Sequence, residues 1–207
     1  MSGARMPVLL LAGALLVILP SAARADDVSD GARQLVDSAM ADTVAALAAP
    51  AGATGERDDR LRALVDRYVD VTALGRSAVG GFWQHAEPGQ RDGFLTEFRS
   101  FLLVSYVGSM ARAEQLRFAP ATVIEADQHR ALVRTEIRAA DGPPHPILIT
   151  VTCADDGRQR ITDVAAQGIS LRAVLIADFG AFLRRNGGRF EALIDNLRAK
   201  IAAHHAD

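Results

Sequence analysis

The sequence predicts an α+β fold, with a four-stranded antiparallel meander set between two helical stretches. Three observations carry this. Apolar residues recur at helical spacing from 28 to about 112, the period switches to two from 116 to 168, and helical spacing returns from 170 to 203.

The chain begins with an expected targeting segment. Arg5 precedes the apolar run "VLLLAGALLVIL", which is too short to span a bilayer comfortably, and "ARA" at 23–25 offers a small-residue cleavage site. Residues 1–25 read as a secretory signal peptide and 26–207 as one domain. No cysteine follows the run to take a lipid anchor. No later segment approaches the roughly 20 apolar residues of a spanning helix, so the mature chain is expected to be soluble.

The first helix, "VSDGARQLVDSAMADTVAALAA", ends at Pro50 and is followed by the linker "AGATG". The next, "ERDDRLRALVDRYVD", opens with acidic residues that suit a helix N-terminus and sets Leu61, Leu64, Val65 and Tyr68 on one face. "VTALGRSAVGGFWQHA" predicts a short helix or two, broken at Gly80-Gly81. A long helix then runs from Pro88, a residue suited to a first turn, to about Arg112.

In the strand region, "RALVRTEIRA" puts Ala131, Val133 and Ile137 on one side and Arg134, Glu136 and Arg138 on the other. "PILITVTCA" alternates Ile147, Ile149, Val151 and Cys153 against Leu148, Thr150 and Thr152. "LRFAPATVIEA" and "RQRITDVAAQG" are the flanking strands. The turns "ADQH", "DGPP" and "DDG" are short enough to make the whole an antiparallel meander. Ser170 is the expected N-cap of a helix that stops at "NGG", and a last helix follows from Arg189.

Composition excludes several functions. Without Arg5 and Arg24, 21 basic residues face 25 acidic ones, a net charge of −4. That is no footprint for nucleic acid, and it disfavours binding to anionic membranes by charge alone. The single Cys153 has no partner for an internal disulfide, so stability must come from the core.

Catalytic constellations are missing. "GRSAVGG" has glycines but lacks the lysine of a phosphate loop, and no G-x-S-x-G elbow occurs. His85, His129, His145, His204 and His205 are scattered, whereas a zinc site needs converging ligands. Asp58-Asp59 suits a helix start and Asp155-Asp156 a turn. Asp163, between apolar neighbours in a strand, is either a strand-edge hydrogen-bonding group or a base facing a cavity.

One helix poses a question. Phe94, Leu95, Phe98, Phe101 and Leu102 are bulky, but Ser105, Gly108 and Ser109 follow on the same side and are small. Small residues there either admit another backbone or leave a hollow, and a hollow lined by Phe, Leu, Ile and Val would bind an apolar ligand.

Two longer stretches resemble a known family. "YVDVTALGRSAVGGFWQHAEPGQRDGFLTEFRSFLLVSYVGSM" is similar to the central block of the MlaC, or toluene-tolerance, family of periplasmic phospholipid-binding proteins. "ITDVAAQGISLRAVLIADFGAFLRRNGGRFEALIDNLRAKI" is similar to that family's ending, and together the likeness runs from about 61 to 201. The chain departs from many relatives at "RQR" before the Asp-Val strand, at Gln167, and at "AVLIADF".

The resemblance implies a curved antiparallel sheet with helices on one face, nuclear-transport-factor-like, with a lipid pocket between sheet and helices. It implies a non-enzymatic periplasmic carrier without cofactor or metal. Such a carrier passes a phospholipid between an outer-membrane lipoprotein complex and an inner-membrane ABC transporter, and is expected to be a monomer. A branch associated with hopanoid synthesis would carry a polycyclic lipid instead. By the same likeness, Phe94, Phe98, Phe101, Leu102 and Tyr106 would line one wall, joined by Trp83. Val133, Ile147, Ile149, Val151 and Val164 would line the sheet wall, and Ile169, Leu171, Leu175 and Phe179 the mouth. The residues themselves leave two other readings open. One is an enzyme for a hydrophobic substrate, with Asp163 or Glu136 as its carboxylate; the other is an interaction module whose stripes are only core.

Overall fold

A computed structural model of the chain describes residues 21–48, 54–107, 116–140, 142–154 and 156–206. Most of the expected signal peptide, the linker after Ala48, and Gly108, Ser109 and Met110 lie outside the described residues. The helical stretch comprises α1 (Ser21–Ala48), α2 (Thr54–Tyr68), α3 (Val71–Val79), α4 (Phe82–His85) and α5 (Pro88–Leu102). A π-helical turn, Leu103–Val107, continues α5. The strands are β1 (Arg117–Phe118), β2 (Thr122–Ala126), β3 (Arg130–Arg138), β4 (His145–Cys153), β5 (Gln159–Ala166) and β6 (Ile169–Ser170), and the chain closes with α6 (Leu171–Arg185) and α7 (Phe190–Ala206).

Among the described residues the sheet has six strands where the sequence predicts four. Every pairing is antiparallel: β1 and β2 both lie on β3, which is followed by β4, β5 and β6. Two local causes explain the difference. Pro120, with no N–H to donate, falls in the first expected strand and splits it into β1 and β2. At the far end, Gln167 and Gly168 take φ of 53° and 78°, the left-handed pair of a two-residue hairpin turn, and fold β6 back onto β5.

Two apolar cores result. In the first, the inward residues of the sheet, among them Ala131, Val133, Ile147, Ile149 and Val151, meet Val28, Ala32, Val36 and Ala39 of α1. These four recur every three or four residues and so form one stripe of the helix. Tyr68 of α2 closes this core, and its hydroxyl donates to Asp42 Oδ2 at 2.6 Å.

The second core is helical. Phe94 and Phe98 stack at 5.4 Å, and Phe179 of α6 and Phe190 of α7 meet Phe94 edge-on at 6.2 and 5.9 Å. Gly75 lets α3 approach α5 closely, because a Cβ there would lie 3.0–3.2 Å from Leu95, Phe94 and Phe98. Polar ties brace the outside: Arg198 of α7 donates to Glu97 of α5 at 2.9 Å, and Gln90 joins α5 to Glu191.

The two cores meet along β5. The Asp70 N–H donates to the Ile161 carbonyl at 2.9 Å, so the α2–α3 junction is stitched to the strand edge at that point. Asp70 also caps α3, its Oδ1 accepting the Ala73 N–H at 2.8 Å.

Candidate functional site

Beyond that stitch the cores separate and leave a cavity of about 420 Å³. Its walls come from both sides of the seam. Val65 and Val69 of α2 and its end, Leu74 of α3, and Leu102 with Tyr106 supply the helical wall. Ile161, Val164 and Ala166 of β5 supply the sheet wall, and Ile169, Leu171 and Val174 close it from β6 and α6.

Local geometry keeps the walls apart. In β5 the register with β4 shifts between Thr150 and Val151, so Thr162 is an extra residue and the strand bends where the cavity begins. Thr162 Oγ1 pairs with Thr152 Oγ1 at 2.8 Å. On the opposite wall α5 gives way to the π turn, a wider winding common near functional sites. Tyr106 lies in that turn with its ring edge-on to Phe101 at 6.0 Å.

Polar groups around the cavity are largely engaged. Asp163 accepts the Ser170 hydroxyl at 2.6 Å and the Arg172 N–H at 3.0 Å, while Ser170 Oγ accepts the Ala173 N–H as the cap of α6. Both Asp163 oxygens therefore hold the β5–α6 corner, which is the hydrogen-bonding role and not that of a free base. Among the described residues no group of three or more His, Cys, Asp or Glu is placed to hold a metal ion, and no helix is long and apolar enough to cross a membrane.

The chain has two tyrosines, and both hydroxyls are held above the ordinary phenol range. Burial is the main cause at Tyr68, with the Asp42 hydrogen bond adding to it. Burial again leads at Tyr106, followed by the nearby Asp178 charge. Folded-state values above the unfolded value mean that this contribution to stability is complete below about pH 10 and is lost as pH rises past it. The folded chain is expected to show less tyrosinate absorbance than the urea-unfolded chain at the pH where the unfolded chain is half titrated. A native titration midpoint equal to the unfolded one would contradict this environment.

The structure brings together only part of the site implied by the family resemblance. Leu102, Tyr106, Val164, Ile169 and Leu171 line the cavity. Phe94, Phe98, Phe101, Leu175 and Phe179 lie in the helical core behind it, with Trp83 packed at its edge. Val133, Ile147, Ile149 and Val151 lie in the other core, under α1. Their inward direction agrees with the alternation, but α1 occupies the space they face. The aliphatic residues that sequence reasoning passed over are Val65, Val69, Leu74, Ile161, Ala166 and Val174. They are ordinary members of apolar stripes, and nothing in their spacing separates a cavity wall from core.

The bulky half of α5 thus serves the helical core, and Leu102 at its end also lines the cavity, while of the small residues only Ser105 is among the described residues and it is not one of those that line the cavity. Ser105 is half-buried in the π turn.

Comparison with known proteins places this arrangement. The sequence profile of the family described as "MlaC protein" matches residues 33–199. Among solved structures, the chain is similar to the phospholipid-binding protein from Ralstonia solanacearum, determined in complex with a phospholipid. The TM-score is 0.70 at 23% identity, over 84% of this chain and 98% of the other.

Proposed function

Because the chain belongs to the MlaC family, we propose that it is a carrier that holds a phospholipid by its hydrocarbon in the apolar cavity. It passes this lipid across the periplasm between an outer-membrane lipoprotein complex and an inner-membrane ABC transporter. The signal peptide directs export, and the carrier works as a monomer without catalysing a reaction.

The observation that carries this reading is the 420 Å³ cavity between sheet and helices, walled almost wholly by aliphatic side chains. Its size falls in the range of small-molecule sites, roughly 300–1,000 Å³. Each methylene moved out of water is worth about 0.8 kcal/mol, so two acyl chains of ordinary length represent roughly 20 kcal/mol. Unaided passage through water is slow against such a barrier, and a protein with an apolar slot removes it. Leu102, Tyr106, Val164, Ile169 and Leu171 would touch the chains, together with the aliphatic residues beside them. Ile169, 63% exposed, would stand at the entrance.

Native mass spectrometry of the chain purified from cells, paired with transfer between vesicles, tests this. The expected spectrum contains a bound diacyl phospholipid, and the expected assay shows donor-to-acceptor movement. A bound polycyclic lipid would redirect the reading to that ligand, and an empty protein that moves no lipid would end it.

A further inference from the structure

Among the described residues, hydrogen bonds join β5 to the helical side of the cavity at two places. At one, the Asp70 N–H donates to the Ile161 carbonyl at 2.9 Å. At the other, Asp163 accepts the Ser170 hydroxyl at 2.6 Å and the Arg172 N–H at 3.0 Å. Ile161 and Asp163 both line the cavity.

The two ties differ in kind. At Ile161 the contact is backbone to backbone, with Val69 bridging the same residue. The other tie hangs on one carboxylate. β6 meets β5 through only two residue pairs, Ala165 with Ser170 and Ala166 with Ile169. Its turn sets the non-glycine Gln167 at φ 53°, which disfavours the hairpin. α6 itself is fixed to the helical core by Leu175, Phe179 and Leu183. The walls are therefore most easily parted where β5 meets the start of α6, beside the exposed Ile169.

Size gives that parting a consequence. A cavity of about 150 Å³ takes one benzene, roughly 25 Å³ for each carbon. On that scale 420 Å³ holds roughly 17 carbons, one acyl chain of ordinary length. A second chain fits only when the walls separate.

We propose that Asp163 sets how many acyl chains the cavity admits. It is a positioning residue, acting through Ser170 and the start of α6: with its bonds made the cavity takes one chain, and with them broken it takes two. The proposal rests on the lipid-carrier reading and adds to it the control of chain number.

The test uses two lipids with one head group, dioleoyl phosphatidylglycerol and its single-chain form, oleoyl lysophosphatidylglycerol. The delipidated mature chain is incubated with both in detergent micelles, and the ratio loaded is read by native mass spectrometry. Asp163→Ala is expected to raise the two-chain share by at least about tenfold, the size of one hydrogen bond to a charged group. Asp163→Asn, which keeps an acceptor for the Arg172 N–H, should fall between. Glu97→Gln, which cuts the tie from α5 to α7 on the outside, should leave the ratio unchanged. A covalent version reverses the effect. The side chains of Asp163 and Ser170 already meet, so Asp163→Cys with Ser170→Cys, in a Cys153→Ser background, can close a disulfide there. The oxidised protein is expected to load the single-chain lipid as the reduced one does, and the two-chain lipid at least about tenfold less.

A ratio unmoved by Asp163→Ala, or moved equally by Glu97→Gln, would overturn the assignment. So would an oxidised protein that takes both lipids as the reduced one does, or that loses both alike. Loading of neither lipid by the wild type would instead bring down the carrier reading, and this proposal with it. Thermal melts establish that each variant is folded. Should Asp163→Ala fail to fold, the oxidised and reduced states of the cysteine pair decide the matter within one protein.

Discussion

Val164→Trp is expected to cut phospholipid loading and vesicle-to-vesicle transfer by at least tenfold while leaving the melting temperature within a few degrees of the wild type. Val164 pairs with Ile149 across the sheet, is only half-buried, and lines the cavity. An indole at this position would extend into the void that the acyl chains are proposed to occupy. Adding bulk to a filled core costs about 1–3 kcal/mol through strain, but here the space to receive it exists. The control sits on the same sheet face. Val133 is fully buried against α1, so Val133→Trp has no void to enter and should destabilise the fold. The pair separates a cavity from a core by measurement. A Val164→Trp protein that loads and transfers lipid at the wild-type rate would show that the cavity is not where the hydrocarbon lies.

The largest effect on stability is expected from Phe94→Ala. Phe94 is fully buried and its ring meets those of Trp83, Phe98, Phe179 and Phe190, drawn from α4, α5, α6 and α7. Truncating a buried phenylalanine typically costs about 3–5 kcal/mol, the lost transfer energy plus the cavity left behind. In a chain of this size each kcal/mol lowers the melting temperature by roughly 2–4 °C. Urea unfolding should therefore show a lower midpoint with an unchanged slope. A loss under about 1 kcal/mol would mean that the aromatic cluster is not the anchor of the helical layer. Because Phe94 lies behind the cavity and not on its wall, any protein that remains folded should still load lipid. Lost loading in a folded Phe94→Ala protein would place the ring closer to the ligand than the structure does.

Much of the fold was legible because local rules govern it. The acid-rich start of α2, the Gly80-Gly81 break between α3 and α4, Pro88 in the first turn of α5 and Ser170 at the cap of α6 are each decided within a few residues. The alternation in β3 and β4 put the right residues on the inner face. The extra strands were harder to read. Pro120 divides a run that otherwise looks continuous, and Gln167-Gly168 makes a tight turn without the asparagine or aspartate that usually signals one.

The site was less legible. Leu102, Tyr106, Val164, Ile169 and Leu171 were reached through family likeness, and that likeness also named residues the structure buries in one core or the other.

The sequence by itself determined the order of the helices and of the longer strands and the inward face of each, since periodicity, caps and turn chemistry are properties of neighbouring residues. Only the tertiary structure decided which inward-facing residues meet other side chains and which meet empty space. Periodicity reports that a residue turns away from water. Whether it then finds a helix, as Val133 does, or a cavity, as Val164 does, depends on elements distant in the chain and on the bend at Thr162 that holds two cores apart.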